Sequence, residues 1–189
     1  MSGTVVRLGM LPHRHKWINE AVAGASAAHW AGDPGVMEAI TALADSEHLA
    51  VQVAAIKAFA SGWPGDPVCR DAIIRLLHTG GISYVYITAI KALGEQWPQD
   101  IVAGSALCCL ARISGSGMEM DSSVEMAIVD ALETGWPDLP EVRSTLMTFA
   151  DRGRTSAVGT AAMYVLAQRR PDDPDIRRMQ MAFTKGFGW

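Results

Sequence analysis

Four tryptophans frame this chain. Trp30, Trp63, Trp97 and Trp136 stand 33, 34 and 39 residues apart, and Arg170 continues the series 34 residues further on. Pro64, Pro98, Pro137 and Pro171 directly follow Trp63, Trp97, Trp136 and Arg170. Proline disfavours the α conformation in the residue before it, so a helix running into such a step stops there. Gly62, just before Trp63, is expected to take the left-handed conformation that closes a helix end. Asp66-Pro67 then opens a new helix. The carboxylate accepts from orphan N–H groups, and proline at the first helical position has a preset φ and no N–H to leave unpaired. One helix therefore ends near Trp63 and another begins near Pro67, so Leu49–Leu77 reads as a helical hairpin.

Aligning on the same anchors exposes columns. Twelve residues before them stand Ile18, Val51, Val85, Val124 and Val158; seven before, Ala23, Ile56, Ile90, Val129 and Met163; four before, Ser26, Phe59, Leu93, Leu132 and Leu166. Nine before, the residues are small: Ala21, Ala54, Thr88, Ala127 and Ala161. These offsets trace one apolar face of an α-helix. The second helix is counted from Pro34, Pro67, Pro140 and Pro174, with Asp100 standing in for the third proline. Two residues on are Val36, Cys69, Val102, Val142 and Ile176, and nine on are Leu43, Leu76, Cys109, Phe149 and Phe183. Self-similarity at a fixed period over most of a chain signals a stack of repeats that bury their faces against neighbours.

The repeats run over about 15–45, 46–79, 81–113, 122–153 and 155–185, after a tail or cap at 1–14, so 15–189 reads as one repeat domain. The first repeat is the least regular, as terminal repeats often are. Residues 112–122 form a Gly-containing insertion with Met118 and Met120, after which Ser122-Ser123-Val124-Glu125 reads as a capping box that starts the fourth repeat. Gly186-Phe187-Gly188-Trp189 could fold back over the last hairpin. A hydrophobic fraction of 49% over 189 residues is ample for a core, with no β-strand alternation. The fold class expected is all-α.

The net charge of −4 argues against general nucleic-acid binding, which needs a basic stripe. No apolar run is long enough to span a membrane, and the N-terminus does not read as a secretion signal. Cys69, Cys108 and Cys109 make an odd count with no disulfide framework, which fits reduced core cysteines of a cytoplasmic protein. The His13-Arg14-His15 triplet has too few neighbouring ligands to read as a metal site. No cofactor or metal is expected, and no phosphate-binding GxxxxGK[ST] loop is present.

The hairpin resembles a HEAT-like repeat of the armadillo/HEAT superfamily. Ala131-Leu132-Glu133-Thr134-Gly135-Trp136-Pro137-Asp138-Leu139-Pro140-Glu141-Val142-Arg143 looks like the repeats of bacterial stand-alone HEAT-like proteins, and like the tracts that follow NACHT-type signalling ATPase modules. The resemblance implies a right-handed α-solenoid of about five hairpins, with the second helices on the concave face. Such units often carry a basic residue just after the β-branched residue of the first helix, paired with an Asp of another repeat. Here that slot holds Asn19, Gln52, Tyr86, Glu125 and Gly159, and the Asp row is partial, with Asp45 and Asp151.

Candidate binding residues follow from the second helices. Three residues after the proline slot stand Met37, Arg70, Ala103, Arg143 and Arg177, whose arginines could grip a carboxylate or phosphate, or pair with acids of the next unit. Four after stand Glu38, Asp71, Gly104, Ser144 and Arg178; eleven after, Asp45, His78, Ala111, Asp151 and Lys185. The seventh column, Thr41, Ile74, Leu107, Met147 and Met181, is apolar where a solvent-facing row should be polar. It is either core, through helix tilt, or an apolar groove. Asp71 and Arg75, four apart, are expected to pair along one helix. Tyr84 and Tyr86 lie two apart, so at least one should be exposed.

The function expected is a non-enzymatic scaffold that holds a protein partner on the concave face. Its candidate contacts are Met37, Glu38, Arg70, Asp71, Ile74, His78, Arg143, Met147 and Arg177. The alternative is a HEAT-like enzyme or binder acting on a small apolar or anionic molecule in the same groove. A sensor partner of a signalling ATPase is a third possibility.

Overall fold

The structure, a computed structural model, describes residues 24, 30–79, 82–115, 120–153 and 155–185. The expectations for residues 1–14, the first helix of the first repeat, the His13–His15 triplet, Met118 and Gly186–Trp189 fall outside the described residues. Among those described, the regular secondary structure is α-helix and no strand occurs. The helices are α1 (Pro34–Ala44), α2 (Leu49–Gly62), α3 (Pro67–His78), α4 (Ser83–Gln96), α5 (Ile101–Gly115), α6 (Ser122–Gly135), α7 (Pro140–Ala150), α8 (Ala157–Arg169) and α9 (Pro174–Lys185).

The anchor step ends helices as its chemistry requires. Trp63, Trp97, Trp136 and Arg170 share one backbone shape, with φ −139, −125, −139 and −138° and ψ 57, 46, 52 and 59°. That lies outside the helical basin, where the following proline forces it. Each of the four still sends its backbone N–H to the carbonyl four residues back, on Phe59, Leu93, Leu132 and Leu166. The left-handed residue is not Gly62, which stays helical and buried. It comes three residues later, at Gly65, φ +78°, and equivalently at Gly32, φ +83°, and Gln99, φ 64°. In these three turns the turn itself, not the helix end, carries the positive φ, and the turns after Trp136 and Arg170 close without one.

Aspartates then start the second helices. Asp33 and Asp66 accept from two backbone N–H groups each, on Gly35 and Val36, and on Val68 and Cys69. Asp100 and Asp173 make the equivalent bonds to Ala103 and to Asp175 and Ile176. Asp100 is thus the N-cap and not the first helical residue; Ile101 takes the slot that proline fills elsewhere. This shifts the third repeat's second helix by one. Val102, expected inside, is 50% exposed, and Ala103 is fully buried in its place. Leu110 rather than Cys109 occupies the later core position, and Cys109 is only half-buried.

The first-helix columns pack as the periodicity requires. Val51, Val85, Val124 and Val158, then Ile56, Ile90, Val129 and Met163, then Phe59, Leu93, Leu132 and Leu166 are all buried. Each such side chain withdrawn from water contributes about 1.5–3 kcal/mol. The helix expected at Ser122 begins there, but its cap differs. Asp121 accepts from the Ser123 N–H, while Glu125 lies one turn in and is buried.

The chain divides into two compact units, residues 1–98 and 99–189. In the first, α1 packs on α2 and α3, α2 on α3 and α4, and α3 on α4. In the second, α5 packs on α6 and α7, α6 on α8, α7 on α8, and α8 on α9. Each unit thus sets first helices beside first helices (α2 with α4, α6 with α8) and second helices beside second helices (α1 with α3, α5 with α7).

Candidate functional site

The three arginines three residues after the proline slot, Arg70, Arg143 and Arg177, are each engaged by an acid. Arg70 bonds Asp71, its chain neighbour, through Nε at 2.8 Å, so Asp71 is held by Arg70 and not by Arg75. Arg143 reaches the next repeat, with Nε 2.9 Å from Asp173 Oδ2 and Nη2 3.2 Å from Asp175 Oδ2. Arg177 bonds Asp172 at 2.6 Å and the Pro171 carbonyl at 2.8 Å. The Asp173 hydrogen bond raises the Arg143 pKa further. Burial alone would raise the Asp173 pKa, but Arg143 and the N–H groups of Asp175 and Ile176 outweigh it and hold that carboxyl below its usual value.

Asp71 apart, the other candidates on these helices make no ion pair with a described residue. Met37 and Ile74 are half-buried, on α1 and α3, and Glu38, Asp71 and His78 on the same helices are exposed. Met147 is half-buried on α7. In the seventh column Ile74 and Met147 are half-buried and Met181 is 60% exposed. Leu107, placed in that column by counting from Asp100, falls one column earlier once the helix is counted from Ile101, and is buried like its equivalents Ile40, Ile73 and Leu146.

Neighbouring turns are tied by indoles. Trp97 donates Nε1–H to the Asp66 carbonyl at 3.0 Å, and Trp136 donates to the Asp100 carbonyl at 2.6 Å. In both cases the acceptor belongs to the N-cap of the preceding repeat. Gly104 makes room for the second tie: a Cβ there would lie 2.8 Å from Trp136 Cδ1 and 2.9 Å from Leu139 Cδ2. At the fifth repeat Arg170 replaces the indole. The cavity beside it, lined by Arg143, Arg169 and Arg170 among others, holds about 20 Å³. That is room for little more than a water molecule.

The slot where the HEAT resemblance implies a basic residue is used with reversed polarity. Glu125 accepts from Ser114 on α5 and from Arg152, just past α7, joining three segments. Arg152 also lies over the Phe149 ring, 4.8 Å from its centroid, a favourable cation–π geometry. In the next repeat the slot is Gly159, where a Cβ would stand 2.5 Å from the Gly153 carbonyl oxygen. Backbone approach replaces charge there.

Two open depressions lie elsewhere. One, of about 440 Å³, runs between α2 and α4 and is lined by Ile56, Lys57, Ala60, Tyr84, Ile87 and Lys91 among others. Tyr84 is 58% exposed, and Tyr86 is half-buried. The other, of about 480 Å³, lies between α8 and α9, lined by Met163, Tyr164, Arg177, Met181 and Phe183 among others. Sequence reasoning centred on the second helices missed the first of these. Its signal was available: Lys57 and Lys91 each stand six residues before an anchor Trp.

Burial pushes the Cys69 thiol up to about 12, helped by the nearby Asp66 charge and a hydrogen bond to it. Burial likewise raises Cys108, against a hydrogen bond with Thr145 that lowers it. Neither is a ready thiolate. Among the described residues no group of three or more His, Cys, Asp or Glu side chains could hold a metal, and no helix is long and apolar enough to cross a membrane.

Fold and surfaces together define an all-α protein whose helices pack on their neighbours in each unit and whose open depressions lie between helices. No protein-family model, curated protein or solved structure matches the chain.

Proposed function

We propose that this chain is a right-handed, HEAT-like α-solenoid of about five hairpins that serves in the cytoplasm as a non-enzymatic scaffold. It holds a protein partner on a concave face made by its second helices. The observation that carries this is the state of Ile74 and Met147. Both are apolar, yet the chain itself only half covers them. Met37 is similar on α1, and Glu38, Asp71 and His78 supply a polar rim. Partly exposed apolar surface ringed by polar groups is typical of protein contact sites. Arg70, Arg143 and Arg177, oriented by their aspartates, would present fixed charge beside it.

The test is to identify a bound protein from the source cell, purify it, and titrate it against the full chain. Ile74→Asp and Met147→Asp should each weaken the reconstituted complex at least tenfold with helicity unchanged. Undiminished binding by the double variant overturns the assignment of this face.

One observation favours the second reading, a binder or enzyme for a small, partly apolar molecule. The depression between α8 and α9, about 480 Å³, falls within the usual size of a ligand pocket. It combines Met163, Tyr164 and Phe183 with the polar tips of Arg177 and Gln180. Saturable binding of an amphiphile that Met181→Asp abolishes and Ile74→Asp leaves intact would establish it.

A further inference from the structure

The groove between α2 and α4 belongs to neither of those surfaces. Its floor is apolar: Ile56 and Ala92 are buried, and Ala60 and Ile87 are half-buried. Ala60 on α2 and Ala92 on α4 present little side-chain bulk to it. The lining on α4 runs from Tyr84 to Gln96. At 1.5 Å per residue that is about 18 Å, so the groove is an elongated trough and not a compact cup.

Its rim carries a specific charge pattern. Lys57 and Lys91 stand at the same register of successive repeats, one on each helix, and both are exposed. Neither makes an ion pair with a described residue. Glu95, one turn beyond Lys91, is the acidic member of the lining and sits towards the Trp97 end. Helices in contact lie about 8–10 Å apart, which sets the two ammonium groups on opposite banks. This basic pair stands out on a chain of net charge −4. Tyr84, at the end away from Glu95, adds an exposed ring with a polar tip.

We propose that the α2/α4 groove is a second docking surface, built for an acidic amphipathic helix of a protein partner. Such a helix lies along the trough with its apolar side chains, at i, i+3, i+4 and i+7, over Ala60, Ile87 and Ala92. Its Asp or Glu residues flank that stripe and meet Lys57 on one bank and Lys91 on the other. An apolar helix face in a groove with charged flanks is an established recognition mode, and steering by the two lysines makes association sensitive to salt. This surface is independent of the second-helix face proposed above.

The test uses two fluorescein-labelled 18-residue peptides with one Leu/Ala stripe, the first flanked by Glu and the second by Lys. Each is titrated by anisotropy against the full chain. The Glu-flanked peptide should bind, more weakly as salt rises, and the Lys-flanked peptide at least tenfold more weakly. Lys57→Glu/Lys91→Glu should reverse that preference, and Lys57→Gln/Lys91→Gln should abolish it. Ile74→Asp should change nothing. A benzophenone in the peptide stripe should cross-link to residues of α2 and α4. Equal binding of both peptides, no binding at millimolar chain, cross-links confined to other helices, or indifference to both lysine variants overturns the proposal. So does displacement of the peptide from the groove by dodecanoate at equimolar concentration, which would make the groove a fatty-anion site.

Discussion

The two interfaces within the second unit solve one problem in different ways. Between the third and fourth repeats, Trp136 is 3% exposed, lies against the space left by Gly104, and bonds the Asp100 carbonyl. Between the fourth and fifth, Arg170 stands where the indole would be, and Arg143 reaches across to Asp173 and Asp175. The first ties a turn to the N-cap carbonyl of a neighbouring helix, and the second ties helix α7 to the N-cap carboxylate of α9. The first tie is buried and neutral, and its strength comes from packing. The second is charged and near solvent, so it depends on salt and on protonation. A repeat can therefore trade a packed anchor for an electrostatic one while its backbone turn keeps the same φ and ψ.

The contrast can be broken from either side. Trp136→Ala should have the largest effect, a loss of about 3–5 kcal/mol in urea unfolding, the usual cost of truncating a buried aromatic. A loss below about 1 kcal/mol would mean that the indole is not the anchor. Gly104→Ala should come next, at about 1–3 kcal/mol, because the added methyl meets a ring and a branched side chain rather than a flexible tip. Its modest gain in helix propensity works in the opposite direction.

These two residues mark what the sequence makes legible. Trp136 is visible because it recurs, and so are the Val, Ile and Leu columns of the first helices. Gly104 is not, because its constraint comes from Trp136, thirty-two residues on, and no local pattern reports a tertiary clash. Asp100 misleads for a related reason. With Ile101 in place of proline, the cap and the first helical residue exchange roles when counted from the proline slot. Glu125 has the spacing of a capping box, yet its carboxylate serves Arg152 and Ser114, since burial and a distant cation outcompete the helix start. The Arg143 tie was half legible: its column suggested pairing with the next unit, but not with which acids. The Lys57/Lys91 bank was present in the periodicity without anything local to rank it above other solvated positions.

A third, smaller effect sharpens the comparison. Cys108 is buried on α5, which packs on α6 and α7, so its alkylation reports opening of the first interface. Trp136→Phe should speed that reaction severalfold under native conditions, whereas Arg143→Gln should not. Half-buried Cys109 should react first in every variant. Equal acceleration by both substitutions would mean that the two interfaces open together.

Arg143→Gln should have the smallest effect on stability, and one that depends on conditions. The folded Asp173 carboxyl titrates below its unfolded value. Its contribution is therefore present above the usual carboxylate range and disappears as pH falls through the lower folded value. Wild type and variant should differ most near neutral pH in low salt, and converge in strong acid or in molar salt. A difference that persists at low pH would assign the loss to packing instead.

Hydrogen exchange at the indole N–H groups tests the repeat-to-repeat tie most directly, with each resonance assigned by its Trp→Phe variant. Trp97 and Trp136 donate to the Asp66 and Asp100 carbonyls, so both indole protons should exchange as slowly as the backbone amides in the middle of α4 and α6. Exchange at the rate of free indole for either tryptophan would contradict the tie and remove the anchor on which the repeat register rests.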